Sequence, residues 1–370
     1  MRTEERLSTG SQTTTGLASK ANIKRRSFLK GMGMSGVALS TGALFARDAV
    51  AEASPKTLTT GDAAILRFLA AAEIIETDLW QQYAELGGIT NEPMNAYQNA
   101  FEQLDGDGPQ YITSNTLDEL SHAEFLNAYL ISKGAEPADL DAFRTLPSSQ
   151  ATGAQQIGRL TNLMNLNVDT SWYTRYRSTT NPDFGATFPQ AIELTNVTAI
   201  PRTNADFKPK KHIQAIANTA AFHFGTIEQG GSSLYSAMAQ KAADVEVLRI
   251  IVSIGGDEVA HFLEWVDFAG NGVQTPIAPF TDPTNGLTFP DFNATGNPQL
   301  QTNLIFPLPC EFINPNLPRC AVIRPTDPKG IAAGVVTFLT DMGLFIGQTP
   351  EFFTVLNKLA KQADNAKRGF

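Results

Sequence analysis

The sequence predicts an all-α protein in which four long helices pack as a bundle, with long irregular insertions and extra C-terminal helices. Two observations predict this class. Apolar residues recur at three- and four-residue steps over four long stretches, and Gly, Pro, Asn and Asp cluster between these stretches. The chain has 370 residues, of which 42% are hydrophobic, and this is enough to bury a large core. The formal net charge of −9 does not favour a nucleic-acid partner.

Residues 1–53 are predicted to be an export signal that is removed from the mature chain. The segment Lys24-Arg25-Arg26-Ser27-Phe28-Leu29-Lys30 resembles a twin-arginine signal. A weakly apolar run from Gly31 to Ala46 follows, and it is too short and too polar for a stable membrane anchor. Ala49-Val50-Ala51 and Ala51-Glu52-Ala53 are small-residue cleavage sites. We therefore expect the twin-arginine translocation machinery to export the protein to a periplasmic or extracellular location; a basic patch before a poor anchor is the alternative.

The first two long helices are predicted at residues 60–87 and at about 114–133. Thr60 and Asp62 are candidate caps for the start of the first helix, and Gly87-Gly88 ends it. Residues 93–104 form a short helix or an irregular link, which the turn-rich residues 105–109 close. The second long helix ends before Gly134, a residue type that is common just beyond helix ends.

An insertion is predicted at about residues 135–210, inside a bundle that spans 54–270. Residues 135–152 are expected to be a loop, and residues 153–178 are expected to be helical. The Pro-, Thr- and Asn-rich residues 181–209 are expected to be irregular, with at most a short hairpin near the β-branched Ile192–Val197.

The third and fourth long helices are predicted at about 211–242 and 245–269. Asp244 starts the fourth helix, and Gly270-Asn271-Gly272 stops it. The last region, residues 271–370, begins with a long Pro- and Asn-rich excursion over 271–328. Two further helices, at about 329–346 and 350–366, are expected to pack on the bundle.

The second and fourth long helices carry the same motif, D-E-x-x-H. It occurs as Asp118-Glu119-Leu120-Ser121-His122 and as Asp257-Glu258-Val259-Ala260-His261. Residues three apart lie on one face of a helix, so each Glu and His can reach one metal ion together. The first and third helices each offer a Glu that precedes a Leu-aromatic pair by six and seven residues. The predicted ligands are Glu73, Glu119, His122, Glu228, Glu258 and His261.

Four carboxylates and two imidazoles are suited to two divalent metal ions, and hard oxygen donors with imidazole favour iron or manganese. Glu76 is interpreted as an additional ligand or as a residue that supports the ligands, because it lies one turn from Glu73. Asp118 and Asp257 either accept the outer ring N–H of the metal-bound His residues or lie on a solvated face. A lone E-x-x-H is commonly a surface ion pair, but the four elements in this order favour a metal site.

The remaining histidines, two glycine pairs and the cysteines also carry predictions. His212 and His223 lack ligand spacing and are interpreted as ordinary packed residues. The glycine pairs Gly230-Gly231 and Gly255-Gly256 allow either close helix packing or space for dioxygen or peroxide. Cys310 and Cys320, the two cysteines of the chain, are predicted to form a disulfide after export; two free thiols are the alternative.

The segment Ala72-Glu73-Ile74-Ile75-Glu76, the two D-E-x-x-H motifs and Glu228 resemble the ferritin-like superfamily. With the export signal and the long loops, the chain looks most like bacterial exported ferritin-like proteins related to plant desiccation-related proteins. The long insertion and tail do not favour a hollow storage cage, although an oligomer is compatible with the sequence. The resemblance implies redox activity toward peroxide or dioxygen, of catalase, peroxidase or metal-oxidase type. A non-catalytic metal-binding or stress-protective protein, or a bundle that acts through its surface loops, are the alternatives.

Overall fold

Helices make up most of the computed structural model, as the sequence predicted. The structure describes residues 57–175, 188–302, 309, 311–322 and 327–368. The predicted export signal lies outside these residues, and so does Cys310, so the predicted disulfide falls outside them as well. Residues 54–370 form a unit of their own. The helices described are α1 (Thr60–Gly87), α2 (Ala96–Leu104), α3 (Gly108–Ser132), α4 (Trp172–Arg175), α5 (Lys210–Ala239), α6 (Val245–Asn271), α7 (Ile331–Asp341) and α8 (Pro350–Asp364).

The four long helices pack in two pairs. Helix α1 lies along α3, and α5 lies along α6, whereas α1 touches α5 and α3 touches α6 only sparingly. The faces that meet between the two pairs are apolar over most of their length, and α5 is buried on almost every side. Charged residues inside this layer are therefore costly unless something compensates them.

Side-chain caps fix the starts of two of these helices. The Thr59 hydroxyl accepts a hydrogen bond from the Asp62 amide, so the cap of α1 is one residue before the predicted Thr60. Asp62 instead accepts bonds from the amides of Ala243 and Asp244, just before α6. Asp244 caps α6 through the Glu246 amide, as predicted.

The start of α3 corrects the sequence analysis. The helix begins at Gly108, not near residue 114. Pro109 lies in its first turn, where the missing N–H removes no helical hydrogen bond and the fixed φ suits a helix. Gly108 and Pro109, the last two residues of the predicted turn, therefore belong to the helix.

The helix predicted over residues 153–178 was wrong. The described part of this segment holds only α4 and a short strand, β1 (Leu166–Val168). Asp78 on α1 accepts hydrogen bonds from the amides of Leu160 and Thr161 at 3.0 and 2.9 Å. A buried carboxylate from another helix thus satisfies amides that an uninterrupted helix would have bonded internally. Strand β1 pairs antiparallel with β2 (Leu194–Val197). Strand β2 lies where a short hairpin was predicted, but its partner β1 lies before that region, so the pairing is not the predicted local hairpin.

The C-terminal region adds a small hairpin and two helices. Strands β3 (Phe280–Thr281) and β4 (Thr288–Phe289) pair within the long excursion. Helices α7 and α8 are both shorter than predicted. Helix α8 packs on α1, and α7 packs on α5 and α8, so this region covers the side of the helices where α1 faces α5. None of the helices in the described ranges has both the length and the apolar character that a membrane span needs.

Candidate metal centre

The six predicted ligands lie together between the two helix pairs. Helix α1 supplies Glu73, α5 supplies Glu228, and α3 and α6 each supply a Glu and the His three residues later. All six are buried, and the least buried, His122, is 8% exposed. Their donor atoms form overlapping groups in which all atoms lie within 4.8 Å of one another. The local three-residue spacing and the packing of the helices together create this cluster.

Glu119 lies between the two imidazoles. Its Oε2 is 3.1 Å from His122 Nδ1, and its Oε1 is 3.0 Å from His261 Nδ1. One carboxylate therefore faces both halves of the cluster, each oxygen toward a different ring. This is the arrangement that a carboxylate shared by two metal ions requires.

Each half of the cluster has its own carboxylate as well. In one half, Glu73 Oε2 lies 3.6 Å from His122 Nδ1. In the other half, Glu228 Oε2 lies 3.4 Å from His261 Nδ1. Glu258 groups with the atoms of both halves, and its Oε1 is 3.8 Å from His122 Nδ1. Glu258 is thus a second residue that both halves can share.

Glu76 brings a fifth carboxylate to the cluster. Its donor atom lies within 4.8 Å of those of Glu228 and Glu258. Helix α1 therefore directs Glu73 to the half that contains His122. One turn later, it directs Glu76 toward the other half. The sequence predicted either an additional ligand or a supporting residue at Glu76, and the proximity of its carboxylate to Glu228 and Glu258 is compatible with an additional ligand.

The outer nitrogens of both imidazoles face two half-exposed carboxylates. Asp257 Oδ2 is 3.3 Å from His122 Nε2 and 3.7 Å from His261 Nε2. Asp118 Oδ2 is 3.5 Å from His261 Nε2. In a neutral imidazole, an acceptor at Nε2 would favour the ring proton there and would leave Nδ1 with its lone pair for a metal ion. Asp118 and Asp257 thus occupy the positions of the acceptors that the sequence analysis considered, at the seam between α3 and α6.

Several buried atoms of the cluster that could bind a metal ion have no hydrogen-bond partner in the described part of the chain. They are Glu73 Oε2, Glu76 Oε1, Glu228 Oε2, both carboxylate oxygens of Glu258, and His261 Nδ1. Leaving a buried polar atom unpaired costs about 1–3 kcal/mol, and more for a charged group. Bound cations would supply the missing partners of all these atoms, so the residues present fit a metal centre.

The shifted pKa values of the cluster residues also fit a metal centre. Burial, followed by the nearby carboxylates, raises the pKa of Glu258 and of Glu76 well above the ordinary value. Burial and the charge of Glu228 raise the pKa of Glu119 to about 7. Burial lowers the pKa of His122, but Glu119 and Glu73 outweigh this and raise it to about 10. Without metal the cluster therefore retains protons, which cations would displace on binding.

Asn115 is a site residue that the sequence analysis missed. It is buried, and its Nδ2 donates to Glu119 Oε1 at 2.8 Å and to Glu228 Oε1 at 3.1 Å. Its Oδ1 accepts from Trp265 Nε1 at 2.8 Å. The one sequence signal is its position four residues before Glu119, which places both on one face of α3.

Tyr235 was noted in the sequence only as part of a Leu-aromatic pair, but it contacts the cluster directly. Its buried hydroxyl donates a hydrogen bond to Glu73 Oε1. Because Glu73 belongs to α1 and Tyr235 to α5, this bond crosses between the two helix pairs. It leaves Glu73 Oε2 directed toward His122.

The glycine pairs near the cluster divide into different roles. A Cβ at Gly231 would overlap Glu258 Oε2, so this glycine makes room for the carboxylate. A Cβ at Gly255 would lie 2.8 Å from the Cβ of Tyr235, so this glycine allows close packing of α5 on α6. A Cβ at Gly230 or at Gly256 would meet no atom within 4 Å in the described residues.

The other two histidines lie outside the cluster. The Nδ1 of His223 is 2.8 Å from the Tyr83 hydroxyl. The Nδ1 of His212 is 2.8 Å from Asp282 Oδ2.

Comparison of the chain with protein-family models, curated proteins and solved structures gives no match. The interpretation of the site therefore depends on its own geometry.

Proposed function

We propose that the protein is an exported di-metal carboxylate protein with a ferritin-like four-helix bundle, and that it reacts with peroxide or dioxygen as a redox enzyme in stress protection. One observation supports this most directly. Glu119 faces both imidazoles, at 3.1 and 3.0 Å, from a position that is fully buried. A structural ion pair needs one such contact, whereas a centre that holds two ions needs a shared carboxylate.

The ligand set divides into two halves with shared members. Glu73 and His122 would hold one ion, and Glu228 and His261 would hold the other. Glu119 and Glu258 could serve both ions, and Glu76 would add its carboxylate to the second half. Alternation of a Glu helix with an E-x-x-H helix, in two packed pairs, is the pattern of ferritin-like di-iron and di-manganese bundles. The order of the four long helices supports this fold.

The ligand chemistry supports iron or manganese. Carboxylate oxygens with two imidazoles suit these ions better than soft metals, which prefer thiolates. When bound, such ions supply one-electron and oxygen chemistry. The side chains contribute orientation: Asp118 and Asp257 hold the rings through Nε2, and Asn115 and Tyr235 hold three of the carboxylates.

Elemental analysis of the exported protein, purified without chelator, tests the site. We expect about two iron or manganese ions per chain. Glu119→Ala and Glu258→Ala should each lose at least one ion, because each removes a shared ligand. His212→Asn, a change at a buried His outside the cluster, is the matched control and should keep both ions. Well under one ion per chain in the wild-type protein would contradict the site.

Activity needs a separate measurement. The metal-loaded protein should consume peroxide or dioxygen, and the Glu119→Ala protein should not. Two bound ions without reaction toward either oxidant would leave the metal site standing and would favour a non-catalytic protective protein.

Export depends on residues outside the described ones. The Arg25-Arg26 pair and the weakly apolar run that follows support the twin-arginine route. Replacing both arginines by Lys should leave the precursor in the cytoplasm, as fractionation would show. Normal export of that variant would exclude the route.

A further inference from the structure

An apolar cavity of about 40 Å³ lies beside the candidate metal centre. It is lined mainly by residues of α1, α5 and α7, on the face of the bundle where α1 meets α5, and it is partly open to solvent. The half-exposed Asp118 and Asp257 lie at the seam between α3 and α6, which is the opposite face. The metal centre therefore has a polar approach on one side and an apolar space on the other.

The inner end of the cavity reaches the ligands. Glu76 is the one ionisable residue among those that line it, and the same carboxylate groups with Glu228 and Glu258. Gly231 also lines the cavity, and a Cβ there would overlap Glu258 Oε2. At this point only a glycine backbone separates the cavity from a carboxylate that both halves of the centre share.

The rest of the lining is hydrocarbon. Ile227 and Leu234 of α5 lie on one side, and Phe338 and Leu339 of α7 lie on the other. Gly230 is on the wall with Ile227, and a Cβ there would meet no atom within 4 Å in the described residues. The absence of a side chain at Gly230 therefore leaves the space open. Glycine in a helix interior costs about 1 kcal/mol relative to alanine.

We propose that this cavity binds dioxygen and delivers it to the metal centre, an inference that rests on the proposed function. The volume is several times the roughly 10–15 Å³ that one water needs by this kind of measure, so a diatomic molecule fits. A buried water requires two to four polar partners, but Glu76 is the one polar side chain among the lining residues. The cavity therefore disfavours water. Peroxide carries two O–H donors, whose burial without acceptors is costly. An apolar gas meets no such cost.

Xenon is the probe for this site, because it binds apolar cavities and needs neither metal nor turnover. We expect one xenon atom in the cavity when crystals of the wild-type protein are pressurised. Gly230→Val should fill the space and abolish xenon binding. Gly334→Val is the matched control: Gly334 is an exposed glycine of α7 whose added Cβ would meet no atom within 4 Å in the described residues. That variant should keep the xenon.

A second variant tests the cavity in case Gly230→Val does not fold. Leu339→Ala should enlarge the cavity and retain xenon. Ordered water in the wild-type cavity, or xenon that persists in Gly230→Val, would overturn the proposal.

Kinetics test the delivery. Gly230→Val should slow the reaction of the metal-loaded protein with dioxygen by about tenfold, while its metal content and its rate with peroxide stay at the wild-type values. Equal slowing of both reactions, or no slowing, would reject the cavity as the dioxygen route. If the protein binds no metal but xenon occupies the cavity, the proposed function fails and the gas-binding site remains.

Discussion

Asn115 donates hydrogen bonds from a single side-chain amide to Glu119, which faces both halves of the centre, and to Glu228, which belongs to one half. Replacing it by Leu removes two donors from Glu119 and Glu228 and leaves the Trp265 indole N–H without its acceptor. We expect Asn115→Leu to lower the free energy of unfolding of the metal-free protein by about 1–3 kcal/mol. Metal affinity should fall about 10- to 100-fold, as is typical when a residue that orients ligands is lost. Urea unfolding and calorimetric metal titration measure the two effects.

Asn127 provides the control on the same helix. Its side chain bonds the backbone of Ala138, away from the cluster. Asn127→Leu should reduce stability and leave metal affinity unchanged. Equal metal affinity in the two Leu variants would show that Asn115 does not orient the ligands.

His223 makes stability depend on pH. Burial lowers its pKa to about 3, and the neutral ring accepts a hydrogen bond from Tyr83 at 2.8 Å. As pH falls below the ordinary His pKa, about 6.5, the unfolded chain takes up a proton that the folded protein refuses, so folding loses about 1.4 kcal/mol per pH unit from this residue. Stability from this source is present above that pKa and is lost toward acid.

The comparison of wild type with His223→Asn isolates this contribution. In the presence of chelator, the difference in unfolding free energy between the two proteins should shrink by about 1.4 kcal/mol per unit between pH 6 and pH 4. Urea unfolding at several pH values measures it. Parallel curves for the two proteins would mean that His223 is not buried as a neutral ring.

The buried cluster of Glu and His residues was predictable from sequence, because Glu119 and His122 are three residues apart on one helix and therefore share a face. Asn115 and Tyr235 were not predictable in the same way. Their partners include Glu228 and Glu73 on other helices, and no local spacing encodes a contact across the bundle.

At the scale of helices, the neighbours Gly230 and Gly231 should respond in opposite ways to the same change. Gly231→Ala places a methyl group against Glu258 Oε2 and must displace that carboxylate, so metal binding should be lost. Gly230→Ala meets no atom within 4 Å in the described residues. It should raise the free energy of unfolding by up to about 1 kcal/mol through helix propensity and should keep both ions. Elemental analysis and thermal unfolding of the two variants check this; equal metal contents would contradict the role of Gly231.

Helices were predicted well where residues close in sequence determine them. A helix was predicted wrongly where a residue distant in sequence binds the backbone of the segment. Helices α5 and α6 end within three residues of their predicted limits, because their apolar faces and the Asp244 cap are encoded locally. In the described part of residues 153–178, the one long helix that was predicted is not formed, and Asp78 of α1 binds the amides of Leu160 and Thr161 there. The early start of α3 was missed because Pro109 was interpreted only as a turn residue, although proline suits the first turn of a helix.

At the scale of the whole molecule, the buried carboxylates oppose folding unless metal is bound. Five carboxylates and two imidazoles occupy one layer between the helix pairs, and the repulsion among them contributes to the raised pKa of Glu258 and Glu76. A ligand that binds only the folded state stabilises it by about 2.7 kcal/mol at one hundred times its dissociation constant. The bundle should therefore be a stable fold when loaded and a weaker one when stripped.

Glu258→Gln should be more stable than the wild type when metal is stripped and less stable than the wild type when metal is bound. Burial, followed by the charges of Glu119 and the other nearby carboxylates, raises the pKa of Glu258, so in chelator the folded wild type must keep a proton on this acid that the unfolded chain releases near neutral pH. The neutral amide of Gln has no such cost, so in chelator the variant should unfold at higher urea than the wild type, by about 1 kcal/mol or more. With iron or manganese present, the wild type should gain stability and the variant should gain little, because a shared ligand is missing. Glu124→Gln, a change at an exposed carboxylate of α3 outside the cluster, should leave the stripped stability unchanged. If Glu258→Gln is less stable than the wild type in chelator as well, the cluster is a packed structural network and metal does not compensate its charge.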